Sequence, residues 1–271
     1  MIPAFPIYLF DIDGTLLASA EDICGAIQQV LDVNPSRPVD FDYLKSYIGR
    51  HLFDLFADVM ADPTQERMDA LLAQYRTLYL ARRHSRTTIY PGVAEGLARL
   101  GGRKGTATTK GSPTTRAILE QFGLIQHFQH VQGTDGFPCK PAPDVLFTAL
   151  AAMGARPEDC LFVGDSAADM EAGHRAGVKT CAVTYGYGKR EELAQFTPDY
   201  WIDDLRELSL SHAAAHRAIG PKFLPRNCRR IVSLPQGDFL SEPRPGYPLG
   251  RKRSVATSRR GSRAADLRLL V

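Results

Sequence analysis

Two aspartates, Asp11 and Asp13, follow a short apolar run near the start of the chain. The run, residues 7–10, predicts a buried strand, and Gly14 allows a sharp turn after the second acid. Both carboxylates then lie at the carboxyl end of a strand, where open α/β sheets bind ligands. Close carboxylates repel, which favours a bound cation or one protonated acid. The pair suits a nucleophile and an acid/base, although the same residues also fit an ordinary turn.

A second apolar run, residues 161–163, ends in a similar way. Asp165 follows it after a glycine, and Asp169 is predicted to open the next helix. A turn aspartate and a helix N-cap would give the same pattern. If the two strands are neighbours in a sheet, their four carboxylates meet in an oxygen-rich site that suits Mg²⁺.

Two further stretches could bind an anion. Thr108 and Thr109 end a predicted strand and offer hydroxyls and amides before a helix, as phosphate sites do. Lys140 stands between prolines in a stiff loop, from which its ammonium could neutralise phosphate oxygens. Capping threonines and a surface lysine are the alternative interpretations.

The apolar periodicity predicts the elements that position these residues. Residues 18–87 show helical spacing only, whereas later helices alternate with short strands, including a weak one at Val131. We therefore predict a Rossmann-like, doubly wound parallel sheet with an all-helical insertion after its first strand. The predicted domains are a discontinuous core (1–17 and 88–210), a helical cap (18–87) and a basic, disordered tail (211–271).

Composition and charge limit the remaining function classes. Five scattered cysteines form no C-x-x-C pair, which argues against a zinc site or a disulfide framework. No signal peptide or membrane-spanning run is visible, so we expect a cytoplasmic protein without a membrane partner.

Residues 1–211 carry 20 Lys and Arg against 27 Asp and Glu, whereas residues 212–271 carry 13 against 3. For this basic tail we favour a disordered extension over an arm that binds nucleic acid.

The combination and order of these motifs resemble the haloacid dehalogenase-like (HAD) hydrolase superfamily from about residue 5 to 208. The chain is most similar to the phosphoglycolate phosphatase-like branch, whose C1 cap is inserted where the helical segment lies. The matching residues are Asp11-Ile12-Asp13-Gly14-Thr15, Tyr90-Pro91-Gly92-Val93, Thr108-Thr109-Lys110, Lys140-Pro141-Ala142-Pro143-Asp144, Gly164-Asp165-Ser166 and Asp169.

The resemblance implies a phosphatase that acts on a small phosphorylated metabolite through an aspartyl-phosphate intermediate. It makes Asp11 the nucleophile and Asp13 the acid that protonates the leaving alcohol. Thr108 and the Thr109 amide would bind a phosphate oxygen, and Lys140 would restrain Asp11. This assignment agrees with the need to screen the repulsion between a carboxylate and a phosphate.

The resemblance also implies Mg²⁺ as the cofactor. Its ligands would be Asp11, the backbone carbonyl of Asp13, and Asp165, with Asp169 completing or orienting the shell. In the cap, Arg50 would bind a carboxylate or second anionic group of the substrate. A solvated arginine beside a turn glycine is the alternative for Arg50.

Two other functions remain open from the sequence. One is a phosphoryl-transfer mutase of the β-phosphoglucomutase type, although residues 17–20 fit the phosphatase branch better. The other is a binding protein that keeps the HAD core and acts through its basic tail, although no catalytic acid is lost. The exact substrate and the oligomeric state stay open.

Overall fold

The computed structural model describes residues 2–209, so the predicted disordered tail 211–271 lies outside the described residues. The strands are β1 (Ile7–Phe10), β2 (Leu17–Ala18), β3 (Thr88–Ile89), β4 (Arg103–Thr106), β5 (Cys160–Gly164), β6 (Lys179–Val183) and β7 (Tyr200–Ile202). Five of them form the parallel central sheet, in the order β4-β1-β5-β6-β7. A separate antiparallel ribbon pairs β2 with β3.

The helices fall into an inserted group, α1–α4, and a group that follows the ribbon, α5–α9. They are α1 (Ala20–Asp32), α2 (Phe41–Lys45), α3 (Leu52–Val59), α4 (Gln65–Ala81), α5 (Val93–Arg99), α6 (Ser112–Gln121), α7 (Asp144–Ala152), α8 (Ala167–Ala176) and α9 (Arg190–Ala194). Short 3₁₀ turns occur at Ile125–His127 and Pro157–Asp159. Among residues 2–209, no helix combines the length and the apolar character that crossing a bilayer requires.

Strand β1 shows why the sheet is covered on both faces. Its side chains alternate in direction, so Tyr8 and Phe10 pack into one hydrophobic cluster, and Ile7 and Leu9 pack into another. All four side chains are at most 1% exposed. A strand that is apolar on both faces is typical of parallel sheets between helical layers. The predicted fold class, a doubly wound parallel α/β sheet with an inserted helical segment, is confirmed.

The inserted helices have a hydrophobic cluster of their own. It is built from apolar side chains between Ile23 and Tyr79, and Phe56 is one of its fully buried members. Ribbon β2–β3 joins the segment to the sheet, and Leu17 pairs with Ile89 there. The predicted cap limits, 18 and 87, fall beside this ribbon, and the division into domains stays a prediction.

The structure corrects several local predictions. Val131 lies in no strand; its neighbourhood forms only isolated bridges, between Gly105 and His130 and between Thr108 and Gly133. Helix α8 begins at Ala167, so Asp169 lies inside its first turn. Helices α2 and α9 and strand β7 were not predicted, because segments this short carry too little periodicity.

A buried carboxylate fastens the two ends of the inserted segment together. Asp22, in the first turn of α1, is 0% exposed. Its Oδ1 accepts a hydrogen bond from Arg82 Nε at 3.1 Å, and its Oδ2 accepts from the Arg86 amide at 2.9 Å and the Thr87 hydroxyl at 2.8 Å. One side chain thus joins the start of α1 to the chain that leaves α4.

We expect Asp22→Asn to lower the free energy of unfolding by about 3 kcal/mol, because it leaves buried donors without a charged acceptor. Chemical denaturation measures this change. The control is Glu95→Gln, since Glu95 pairs with Arg99 at the surface, where such a pair contributes less than about 1 kcal/mol. Equal losses in the two variants would show that Asp22 does not hold the segment together.

Candidate active site

The order of the strands brings the predicted motifs to one edge of the sheet. Strand β1 lies between β4 and β5, in register such that Phe10 pairs with both Thr106 and Val163. The amide of Asp11 donates to the Val163 carbonyl at 3.0 Å, which continues the pairing for one more residue. The residues that follow the three strands therefore share the carboxyl edge, where ligands bind in this class of sheet.

Three carboxylates meet there. Asp11, Asp165 and Asp169 each offer an oxygen, and these oxygens lie within 4.8 Å of one another. The three residues are at most 2% exposed. Such a set of close, buried oxygen donors can hold a hard divalent cation such as Mg²⁺.

Lys140 is the buried cation beside this group. Its ammonium lies 2.8 Å from Asp11 Oδ1 and 2.5 Å from Asp169 Oδ1, and it also donates to the Ala107 carbonyl at 3.2 Å. Burial alone would lower the pKa of Lys140, but the charges of Asp11 and Asp169 raise it above its usual value. Lys140 therefore stays an ammonium at neutral pH.

The carboxylates of Asp11 and Asp165 are destabilised as anions. Burial raises the pKa of Asp11 to about 6, with Lys140 opposing the shift and Asp169 adding to it. Burial, followed by repulsion from Asp169 and Asp11, raises the pKa of Asp165 well above its usual range. Three carboxylates facing one ammonium leave an excess of negative charge, which a divalent cation would neutralise.

The Asp11 carboxylate also leaves room for a cation. Its Oδ1 is buried, and apart from the ion pair with Lys140 at 2.8 Å no group among residues 2–209 is recorded as donating to this atom. Buried polar atoms normally have hydrogen-bond partners, and an ion can take the place of a missing one. The donor set, the charge and the Asp11 oxygen together fit Mg²⁺.

Close packing fixes the Asp165 side chain. Its Oδ1 accepts from the Thr15 hydroxyl at 2.9 Å, and its Oδ2 accepts from the Tyr187 amide at 2.8 Å. Gly14 has a φ of +93°, and a Cβ there would lie 2.1 Å from Asp165 Oδ2. A side chain at Gly14 would thus displace the carboxylate, so the Asp-Gly turn is needed for the site to close.

Asp169 has both of its oxygens engaged. Its Oδ2 accepts from the amide and hydroxyl of Ser166, at 2.9 and 2.6 Å, in a capping box that begins α8. Its Oδ1 accepts from Lys140. These contacts suit a residue that orients Lys140 and the other carboxylates.

Asp13 lies outside the carboxylate group, with its side chain 12% exposed. Its Oδ1 accepts from the Ser19 hydroxyl at 2.7 Å, and its Oδ2 lies 3.2 Å from the ammonium of Lys110. Lys110 is not among the predicted site residues. Its sequence signal was its place directly after Thr108 and Thr109.

The two threonines have different surroundings. Thr108 is 1% exposed, and its hydroxyl accepts from the Lys110 amide at 3.4 Å. The Thr109 hydroxyl donates to the Gly49 carbonyl at 3.4 Å, which links the sheet edge to the inserted segment. Next to that glycine, Arg50 is exposed, with its guanidinium 5.4 Å from the centre of the Tyr47 ring.

A cavity of about 340 Å³ opens between this sheet edge and the inserted helices. Lys140, Asp165 and Asp169 do not line it but lie buried next to Asp11. Asp11, the candidate nucleophile, therefore forms part of the cavity wall. The Lys140 ammonium contacts Asp11 but does not line the cavity itself. The predicted site residues in the lining are Asp11, Asp13, Arg50, Thr108 and Thr109.

Known proteins are similar to this chain in sequence and fold. A family model described as haloacid dehalogenase-like hydrolase matches residues 8–183. A Pseudomonas aeruginosa protein named phosphoglycolate phosphatase 1 is 33% identical over 210 residues, which cover 74% of this chain and 77% of that protein. A phosphoglycolate phosphatase of Nitrosococcus oceani is 31% identical over 217 residues, covering 76% and 96%. A crystal structure from Haemophilus somnus, described as a predicted phosphoglycolate phosphatase, is 28% identical with a TM-score of 0.66, covering 75% and 96%.

The raised pKa values predict how a divalent cation stabilises the protein at different pH. The folded-state pKa of Asp11 is about 6, above the ordinary 3.8, so folding favours the protonated carboxyl. The contribution of Asp11 to the free energy of unfolding is therefore fully present below pH 3.8 and is lost as the pH rises through about 6. A cation that binds the ionised carboxylates restores the stability. We expect Mg²⁺ to raise Tm by roughly 5 °C near pH 7.5, relative to protein in a chelator, and by far less near pH 5.

The matched variants are Asp165→Asn, which should lose the increase near pH 7.5, and the exposed Asp58→Asn, which should keep it. Thermal unfolding followed by circular dichroism measures both. An increase of the same size at both pH values, or one that survives in Asp165→Asn, would contradict a cation site at these carboxylates.

Proposed function

Because this chain belongs to the haloacid dehalogenase-like hydrolase family, we propose that it is a Mg²⁺-dependent phosphatase that forms an aspartyl-phosphate on Asp11. The observation that carries the proposal is the group of three buried carboxylates within 4.8 Å, beside a cavity large enough for a small metabolite. Lys140 next to Asp11 adds the positive charge that phosphoryl transfer requires.

Asp11 is the proposed nucleophile. The Lys140 ammonium, 2.8 Å from its Oδ1, favours the ionised carboxylate and restrains its rotation. In the first step a carboxylate oxygen of Asp11 attacks phosphorus. An aspartyl O–P bond forms while the P–O bond to the alcohol breaks, so the phosphoryl group moves to the protein.

Asp13 is the proposed acid/base. It gives its proton to the leaving alcohol oxygen, which therefore departs as a neutral alcohol. It then takes a proton from the water that attacks phosphorus, and the bond to Asp11 breaks to release phosphate. The Ser19 hydroxyl and the Lys110 ammonium hold the Asp13 carboxylate at the cavity for both steps.

Asp11, Asp165 and the backbone carbonyl of Asp13 are the proposed Mg²⁺ ligands, with Asp169 completing or orienting the set. When bound, Mg²⁺ supplies the positive charge that lets an anionic carboxylate approach an anionic phosphate. Thr15 and Tyr187 hold Asp165 in place for this role.

Thr108 and Arg50 are the proposed contacts to the substrate. The Thr108 hydroxyl and the Thr109 amide would donate to a non-bridging phosphate oxygen, since Thr108 lines the cavity beside Asp11. Arg50 lines the same cavity from the inserted segment, where it would attract a second anionic group. The relatives named phosphoglycolate phosphatases support a phosphoglycolate-like monoester as the substrate.

We expect phosphate release from one or more members of a panel of small phosphomonoesters in the presence of Mg²⁺. Asp11→Asn should lower kcat by about 10³-fold or more, because it removes the nucleophile. The exposed Asp32→Asn, which makes the same chemical change outside the cavity lining, should keep normal activity.

A chelator should abolish release, and Mg²⁺ should restore it. Equal release by the wild-type protein and Asp11→Asn would end the proposal, as would release that persists without any divalent cation.

A further inference from the structure

Lys110 is a buried ammonium that the proposed steps do not use directly. It stands in the loop between β4 and α6, with its side chain 9% exposed, and it lines the cavity. The Asp13 carboxylate, 3.2 Å from its ammonium, stabilises the charged form of Lys110 in this largely buried position.

The contacts of Lys110 leave part of its hydrogen-bonding capacity unused. Its Nζ lies 3.2 Å from Asp13 Oδ2 and donates to the Tyr79 hydroxyl at 3.0 Å. It also lies 4.5 Å from the centre of the Tyr79 ring. A lysine ammonium carries three N–H donors, so within residues 2–209 one donor remains after these two partners. Because the side chain lines the cavity, a bound ligand can take that donor.

Tyr79 keeps the ammonium in this position. It belongs to α4 of the inserted segment, is 4% exposed and stacks on Tyr75 with ring centres 5.6 Å apart. The His84 ring also packs against Tyr79 in an edge-to-face arrangement, with ring centres 5.1 Å apart. The hydroxyl that accepts from Lys110 is thus part of a rigid aromatic group.

The geometry relates Lys110 to the leaving group. An acid must lie within about 3 Å of the oxygen that it protonates, so the ester oxygen lies about 3 Å from Asp13. The Lys110 Nζ lies 3.2 Å from Oδ2 of that same carboxylate. A carboxylate on the carbon next to the ester oxygen has its own oxygens roughly 3 Å from the ester oxygen, by ordinary bond lengths. Such a carboxylate falls within reach of the third N–H of Lys110.

Burial favours Lys110 over Arg50 for this recognition. Arg50 is exposed and lies over Tyr47, so water screens its charge. An effective dielectric constant of about 20 near a partly buried charge, against about 80 in water, makes the same contact roughly four times stronger. Arg50 can attract an anion to the cavity, whereas Lys110 can discriminate between leaving groups.

We propose that Lys110 is a specificity-determining residue that binds a carboxylate on the carbon next to the ester oxygen. The preferred substrates are then phosphate esters of 2-hydroxy acids, of which phosphoglycolate is the smallest. Tyr79 is the positioning residue for Lys110. This inference rests on the proposed function, because it takes the place of the leaving group from the role of Asp13.

The test compares phosphoglycolate with ethyl phosphate, which has a methyl group in place of the carboxylate. The measured quantity is the ratio of kcat/KM for the two esters. We expect the wild-type protein to prefer phosphoglycolate by about 100-fold, as for a charge-assisted contact in a largely buried site, and Lys110→Met to lower that ratio by at least about tenfold. The loss should fall mainly on the KM for phosphoglycolate.

Two further variants complete the comparison. Tyr79→Phe removes only the hydroxyl, so it should lower the ratio in the same direction by a smaller factor. Arg50→Met should lower kcat/KM for phosphoglycolate. It should keep more of the preference for phosphoglycolate over ethyl phosphate than Lys110→Met does. The Mg²⁺-dependent increase in Tm shows that each variant is folded.

The outcomes separate the inference from the proposed function. If the wild-type protein releases phosphate from neither ester and from no other monoester, the proposed function fails and the inference fails with it. If the wild-type protein is active but shows no preference for the carboxylate, the inference alone is overturned. Equal losses on both esters in Lys110→Met would also overturn it, because Lys110 would then act only through Asp13.

Discussion

The site depends on one electrostatic constraint, the burial of three carboxylates around a single ammonium. Asp11, Asp165 and Asp169 lie within 4.8 Å of one another, and Lys140 contacts two of them. Burial and mutual repulsion raise the pKa of Asp11 to about 6. Such an arrangement is weak evidence for stability, because the desolvation of buried charges offsets their attraction. A divalent cation and an anionic ligand would balance the charge, which agrees with the electrostatic requirement of the proposed phosphoryl transfer.

Short-range contacts at the ends of three adjacent strands hold these carboxylates in place. Gly14 lets the first turn pass against Asp165, and the capping box of Ser166 with Asp169 aims one carboxylate at Lys140.

Asp13 is held by a different set of contacts. Its partners are the Ser19 hydroxyl, at the junction with the inserted helices, and Lys110, which those helices hold through Tyr79. The proposed nucleophile thus belongs to the sheet, whereas the proposed acid/base is shared with the inserted segment.

The sequence predicted most of this arrangement because its signals are local. Buried strands end directly before Asp11 and Asp165, so the fold class follows from periodicity, and the meeting of the carboxylates follows from the parallel sheet. Lys110 was missed because its partner Tyr79 lies 31 residues earlier in the chain, and no periodicity reports such a pair. The tie between Asp22 and Arg82 was missed for the same reason. Local patterns place residues on elements, whereas contacts between distant side chains depend on how the elements pack.

The central claim is that Asp11 carries the phosphoryl group during turnover, and trapping that group tests it most directly. The experiment uses Asp13→Asn with an aryl phosphate, whose leaving group needs no proton, so that the intermediate forms but is hydrolysed slowly. After an acid quench, peptide mass spectrometry should find a phosphoryl group on the peptide that contains Asp11, and none there in the Asp11→Asn protein. A phosphoryl group on a different residue, or phosphate release by Asp13→Asn without any trapped adduct, would contradict the account.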